Sequence, residues 1–131
     1  MSYKHSKQRE VIQSFLTGRK DHPTADTIYA GVREVIPNIS LGTVYRNLQL
    51  LVDLGEIQKI NVGDGVDHFD ADVSMHHHFH CRICGCVSDV RIKALPFDLK
   101  DQLIDFDGEV ETQTLYFEGV CSACKALKQS V

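Results

Sequence analysis

The chain has no apolar run long enough to span a bilayer and no signal-peptide pattern at its polar, basic start, Met1-Ser-Tyr-Lys-His-Ser-Lys-Gln-Arg9. Membrane and secreted classes are thereby set aside, and residence in the cytoplasm is the expectation. It also lacks internal repeats, a low-complexity linker and any excess of positive charge. The net charge is −4, which at first sight argues against a nucleic-acid partner. The deficit is uneven, however: residues 1–64 carry +1 and residues 65–131 carry −5. DNA contact, if any, is expected from the first half, and bound cations would offset part of the acidity of the second. At 131 residues and 43% hydrophobic content, the chain can form one ordinary domain or two small ones.

What is present is a pair of C-x-x-C units, Cys81-Arg-Ile-Cys84 and Cys121-Ser-Ala-Cys124, with 36 residues between them. Each places two thiolates on one turn, and two such turns together make the S4 set that suits zinc. In a reducing compartment metal ligation is the favoured reading and a redox dithiol the alternative. A histidine-rich run, Met75-His76-His77-His78-Phe79-His80, leads into the first pair.

The first half reads as three helices and a hairpin. Val11, Ile12, Phe15 and Leu16 form one apolar stripe. Pro23-Thr24 opens a second helix with the stripe Ile28, Tyr29, Val32, Val35 and Ile36, stopped by Pro37. Ser40 caps a third, which buries Leu41, Val44, Leu48 and Leu51 and ends at Gly55. Ile57–Val62 and Val66–Phe69 alternate around Gly63-Asp64-Gly65, a hairpin signal. This is the winged helix-turn-helix pattern, with a small helical bundle as the alternative. The second half reads mainly as strands, at residues 86–92 and 109–117. After Pro96 a short helix is expected over Phe97–Phe106, with Leu99, Leu103 and Phe106 inward. The tail from Lys125 to Val131 is read as helical or frayed.

Five ordered motifs carry a resemblance: His22-Pro-Thr-Ala-Asp-Thr-Ile-Tyr29, Ile39-Ser-Leu-Gly-Thr-Val-Tyr-Arg-Asn-Leu48, His68-Phe-Asp70, His76-His-His-Phe-His-Cys-Arg-Ile-Cys-Gly85 and Cys121-Ser-Ala-Cys124. Over roughly residues 7–124 the chain resembles the ferric uptake regulator family of bacterial metal-dependent repressors. The resemblance implies an α+β protein. A winged-helix DNA-binding domain at residues 1–66 is followed by a hinge at 67–71 and a metal-binding α/β dimerisation domain at 72–131. It implies structural zinc at Cys81, Cys84, Cys121 and Cys124, and a regulatory Fe(II) or Mn(II) held by His22, Asp70, His76, His78 and Asp89. It implies, too, a homodimer on a palindromic operator and no enzymatic activity. Thr43, Tyr45, Arg46 and Asn47 are the candidates for the major groove, with Arg9, Arg19 and Lys20 (and Lys4 and Lys7) for phosphates.

Asp89 stands where iron-sensing members tend to have Glu and the peroxide-responsive branch has Asp. The chain is thus most like that branch, whose implied mechanism is iron-dependent oxidation of a ligand histidine (His22 or His76), loss of metal and release of DNA. An iron- or manganese-responsive regulator without peroxide chemistry is the alternative within the family. A thiol oxidoreductase or metal-storage protein is the alternative outside it, and leaves residues 1–64 unexplained. The chain departs from the family in a short N-terminus, in Thr112 and Gln113 where many iron-sensing relatives have a histidine, and in the unpartnered Cys86.

Overall fold

A computed structural model describes residues 3–94, 97–111 and 113–129, with side chains left undescribed at 3–6, 128 and 129. The side chain of Lys4, and residues Pro96, Thr112 and Val131, lie outside the described parts. The element order is α1 (Tyr3–Leu16), α2 (Ala25–Val32), α3 (Leu41–Asp53), β1 (Gln58–Ile60), β2 (His68–Asp70), β3 (His77–Cys81), β4 (Val87–Val90), a short 3-10 turn (Leu99–Gln102), β5 (Tyr116–Gly119) and α4 (Ser122–Gln129). The fold is α+β: a winged helix-turn-helix followed by a smaller α/β unit.

Local chemistry sets the three-helix half. The Thr24 side chain caps α2 by accepting from the Thr27 N–H, and Ser40 caps α3 by accepting from the Thr43 N–H at 3.1 Å. Gly55 ends α3 in the left-handed region (φ 75°), where only glycine sits without a Cβ clash. Its N–H bonds the Val52 carbonyl, and the Glu56 N–H bonds that of Leu51, so two of the last carbonyls of α3 are satisfied. The apolar faces meet in one core: Ile12, Leu16, Ala25, Ile28, Val32, Ile39, Val44, Leu48, Leu51, Ile57 and Phe69. Each fully buried Leu or Ile there contributes roughly 2 kcal/mol of transfer free energy.

The wing is a two-stranded antiparallel pair, β1 with β2, in the register Lys59↔Phe69. The second half is a three-stranded sheet in the order β4-β3-β5, with β3 antiparallel to β4 and parallel to β5. Ile60 and Val62 of the wing bury against Val87 of β4, a small apolar seam joining the halves.

Several elements differ from the sequence-based expectation. Helix α2 ends at Val32, and Val35 is 62% exposed rather than part of the buried stripe. The expected helix over Phe97–Phe106 is only the single 3-10 turn. Leu103 and Phe106 face solvent, Leu99 is half-buried, and Asp105 takes a left-handed φ of 57° that a helix cannot contain. Of the strand expected over 109–117 only the end pairs, as part of β5 (Tyr116–Gly119): β3 starts at His77, so the register His78↔Tyr116 leaves residues before Leu115 no partner on β3. Residues 86–92 likewise reduce to β4, with Cys86 just before it.

Candidate metal centre and nucleic-acid interface

The parallel pairing of β3 with β5 brings the cysteine pairs together. Cys81 ends β3 opposite Gly119, two residues before Cys121, and the Arg82 N–H bonds the Gly119 carbonyl at 2.8 Å. Gly85, at φ 79°, closes the first knuckle, its N–H bonding the Cys81 carbonyl at 2.9 Å. Cys121 precedes α4, and Cys124 lies in its first turn. One sulfur from each of Cys81, Cys84, Cys121 and Cys124 lies within 4.8 Å of the others, and Cys84 Sγ is 3.8 Å from Cys121 Sγ.

Backbone N–H groups are aimed at the sulfurs. Those of Cys84 and Cys121 approach Cys81 Sγ at 3.5 and 3.4 Å, and that of Cys124 approaches Cys121 Sγ at 3.5 Å. The N–H groups of Cys84 and Cys121 hold the Cys81 thiol down at about 5, and the Cys124 N–H lowers Cys121. Cys124 moves the other way, pushed up to about 12 by its contact with Cys121 and then by burial, because sulfurs this close cannot all ionise without a cation among them. Thiolate is the ligating form, and the four-sulfur set fits zinc. Cys86 stays outside this set; lost solvation, then the neighbouring Cys84 and Cys121, push its thiol up to about 12.

The second cluster is assembled from both halves. His22 precedes α2, Asp70 ends β2, His76 and His78 flank the start of β3, and Asp89 lies on β4 opposite His78. Their ligand atoms all lie within 4.8 Å of one another. Asp89 Oδ1 is 2.7 Å from His22 Nε2, 3.1 Å from His76 Nε2 and 3.5 Å from His78 Nε2. Asp70 Oδ2 is 2.9 Å from His76 Nε2 and 3.4 Å from His22 Nδ1. His76 donates through Nδ1 to the Ser74 carbonyl at 2.7 Å, which leaves Nε2 turned into the cluster.

Two observations test whether a cation fits. Nδ1 of His22 and Nε2 of His78 are buried and make no hydrogen bond, a state that costs free energy unless another partner satisfies them. The electrostatics of His78 point the same way, whereas those of His76 favour its charged form. Burial first, then the neighbouring His22 and His76, lower the His78 imidazole toward its neutral, ligating form. For His76 burial works downward as well, but the Ser74 carbonyl, Asp70 and Asp89 outweigh it and raise the ring. Three imidazoles and two carboxylates form a mixed, fairly hard donor set that suits Fe(II) or Mn(II). Among the described residues these two clusters are the groups able to hold a metal.

The nucleic-acid candidates separate on α3. Tyr45 is 49% exposed, and Arg46 projects beside it, donating to Thr43 Oγ1 at 3.0 Å. Asn47 is not on that face. It is 9% exposed and its Nδ2 donates to the Thr43 carbonyl at 2.9 Å, so it is spent inside its own helix. Arg19 is bound by Asp21 at 2.6 Å and stacks 4.4 Å from the Phe15 ring. Lys7 and Lys20 are exposed and Arg9 is half-buried. Sequence reasoning left His68 unassigned. It is buried between the His22 backbone and Asp64, a placement that only the docking of β2 reveals.

No helix among the described residues is long and apolar enough to cross a membrane. The ferric uptake regulator family profile matches residues 1–117. The ferric uptake regulation protein of Bacillus subtilis is 36% identical over 129 residues, covering 94% of this chain and 86% of that protein. The peroxide-responsive repressor PerR of Staphylococcus epidermidis is 35% identical over 120 residues, covering 90% and 79%. In three dimensions the chain is similar to the crystal structure of the Campylobacter jejuni peroxide stress regulator. The TM-score is 0.68 at 25% identity, covering 92% of this chain and 91% of that one. With the match spanning most of the sequence and both metal-capable clusters in place, this chain belongs to the ferric uptake regulator family.

Proposed function

We propose that this chain is a dimeric, metal-dependent repressor that binds a palindromic operator and senses hydrogen peroxide through oxidation of His22 or His76. The observation that carries the metal dependence is the shared cluster. His22 comes from the winged-helix half and Asp70 from the hinge at 67–71; His76, His78 and Asp89 come from the second half, with all ligand atoms within 4.8 Å. A ligand shifts an equilibrium only through its differential affinity for two states. A set split between two domains, residues 1–66 and 72–131, is complete only when they are closed. Closure fixes the spacing of the two winged helices of a dimer, and that spacing must match two half-sites. In this reading Thr43, Tyr45 and Arg46 enter the major groove, Arg9, Arg19 and Lys20 meet phosphates, and the four-cysteine zinc holds the dimerisation domain together.

Iron(II) at this site would supply the electron that converts peroxide into a local oxidant. The protein's part is to hold His22 and His76 beside it and to lose a ligand when either ring is oxidised. Asp89, and the relatedness to PerR of Staphylococcus epidermidis, support the peroxide reading. The relatedness to the Bacillus subtilis ferric uptake regulation protein supports a second, a metal-responsive regulator without peroxide chemistry. Peroxide treatment of Fe(II)-loaded and Mn(II)-loaded protein separates them. Peptide mass spectrometry should find one added oxygen at His22 or His76 in the iron form alone. Oxidation confined to cysteines would sink the peroxide reading, and DNA binding that persists in strong chelator would sink the metal-dependent one.

A further inference from the structure

His68 is buried, 7% exposed, and belongs to neither ligand cluster. Both of its ring nitrogens are engaged. Nδ1 lies 2.9 Å from the His22 carbonyl oxygen, which can only accept, so Nδ1 donates. Nε2 lies 2.7 Å from Asp64 Oδ2, in the loop of the wing. The same carboxylate oxygen lies 3.9 Å from His80 Nε2 on β3. A chain of polar contacts therefore runs from the second half, through the wing, to the backbone of His22.

The backbone that it reaches is held against its local preference. His22 has φ 49°, a left-handed conformation that a residue with a Cβ rarely adopts. Such a residue persists only where its surroundings over-determine it. Strand β2 supplies that restraint: His68 bonds the His22 carbonyl, the Phe69 N–H bonds the Pro23 carbonyl at 3.0 Å, and Thr24 bridges His68. In this conformation the His22 ring lies 2.7 Å from Asp89 and 3.4 Å from Asp70.

We propose that His68, braced by Asp64, is a positioning residue for metal binding: it locks His22 in the left-handed turn that presents its imidazole to the cluster. The affinity of the site then depends on a side chain that touches no metal. This rests on the reading of the five-residue cluster as a metal site. Groups that orient a ligand in this way typically change metal affinity about 10–100-fold when removed.

The rival role is plain packing beneath the wing, and the two nitrogens distinguish them. Asparagine places an amide near the Nδ1 position and so keeps a donor for the His22 carbonyl. Glutamine reaches the Nε2 position and keeps only the Asp64 link. Leucine keeps only bulk. Mn(II) affinity is measured by electron paramagnetic resonance on full-length, zinc-loaded parent, His68→Asn, His68→Gln, His68→Leu and His22→Ala, alongside zinc content and thermal unfolding. Affinity should fall about tenfold or more in His68→Gln and His68→Leu and stay near the parent in His68→Asn, with zinc retained. In manganese-free protein the His22 ring resonances should move in His68→Gln but not in His68→Asn. If His68→Leu does not fold, the Asn and Gln pair decides. Parent-like affinity in His68→Gln, or affinities that follow melting temperature instead of the donor, would overturn the proposal. A parent that binds Mn(II) no better than His22→Ala would overturn the metal-site reading beneath it.

Discussion

His22 and Asp89 are 67 residues apart in sequence, yet His22 Nε2 sits 2.7 Å from Asp89 Oδ1. One is at the entrance to a helix of the winged domain and the other on the outer strand of the second sheet. That contact, repeated by Asp70 with His22 and His76, means that neither half holds the cluster alone. Metal binding and domain closure are therefore one event in the proposed mechanism.

Asp89→Glu adds one methylene to the carboxylate nearest His22. Metal-dependent DNA binding should survive, because the donor type is unchanged. Peroxide sensitivity should fall, since displacing a reacting centre by about 1 Å can cost on the order of 10²-fold in rate. The measurement is the rate of single-oxygen addition at His22 and His76 in Fe(II)-loaded protein; an unchanged rate would show that the length of this carboxylate does not set the chemistry.

Tyr45 and Asn47 should behave oppositely although they are two residues apart on α3. Tyr45→Ala removes a half-exposed ring and should leave stability within about 0.5 kcal/mol while weakening binding to a DNA site recovered from a random pool. Asn47→Ala removes a bond to the Thr43 carbonyl and should cost about 1 kcal/mol in urea unfolding, with little effect on base preference. Equal DNA-binding losses at matched folded fraction would contradict this division.

Asp64 gives a pH signature. Burial pushes its carboxyl up, but the hydrogen bonds from His68 and the Val66 N–H, with the charges of His68 and His80, outweigh it and leave it below the usual range. A depressed folded-state value stabilises the protein above the unfolded value of about 3.9, and the contribution is lost as pH falls through the folded value. Urea unfolding from pH 6 to 3 should show the parent losing more stability on acidification than Asp64→Asn. Parallel curves would mean that the Asp64 contacts are not held in solution.

Ile104 is 85% exposed, and Phe106, Phe117 and Leu127 are exposed with it in the second half. Apolar side chains left bare on a single chain of a dimeric family belong to the subunit interface in our reading. Ile104→Glu should leave each chain folded and zinc-bound but raise the dimer dissociation constant roughly a hundredfold, the effect of about 3 kcal/mol from burying a charge without a partner. Sedimentation that shows an unchanged dimer would remove Ile104 from that interface.

The three helices and the wing were legible because their signals are local. Caps at Thr24 and Ser40, the stop at Gly55 and the 3.6-residue stripes each act within a few residues. The second half was less legible. Leu99, Leu103 and Phe106 have helical spacing, but a stripe forms a helix in water mainly when something packs on it, and among the described residues Leu103 and Phe106 stay exposed. The strand expected at 109–117 failed for a related reason, since strand length is set by a partner and β3 offers its edge only from His77 onward.

By itself the sequence determined the ligand types. Two C-x-x-C turns and a histidine run fix thiolate chemistry in one place and imidazole–carboxylate chemistry in another, because donor identity is a property of single residues. What only the tertiary structure decided is how the donors meet. The parallel register Cys81↔Gly119 sets one cysteine pair against the other. The docking of β2 on the turn before α2 holds His22 at a positive φ with its ring toward Asp89, and it buries His68 behind that turn. These are long-range pairings set by packing and hydrogen-bond satisfaction across the two halves, and no local pattern in the chain encodes them.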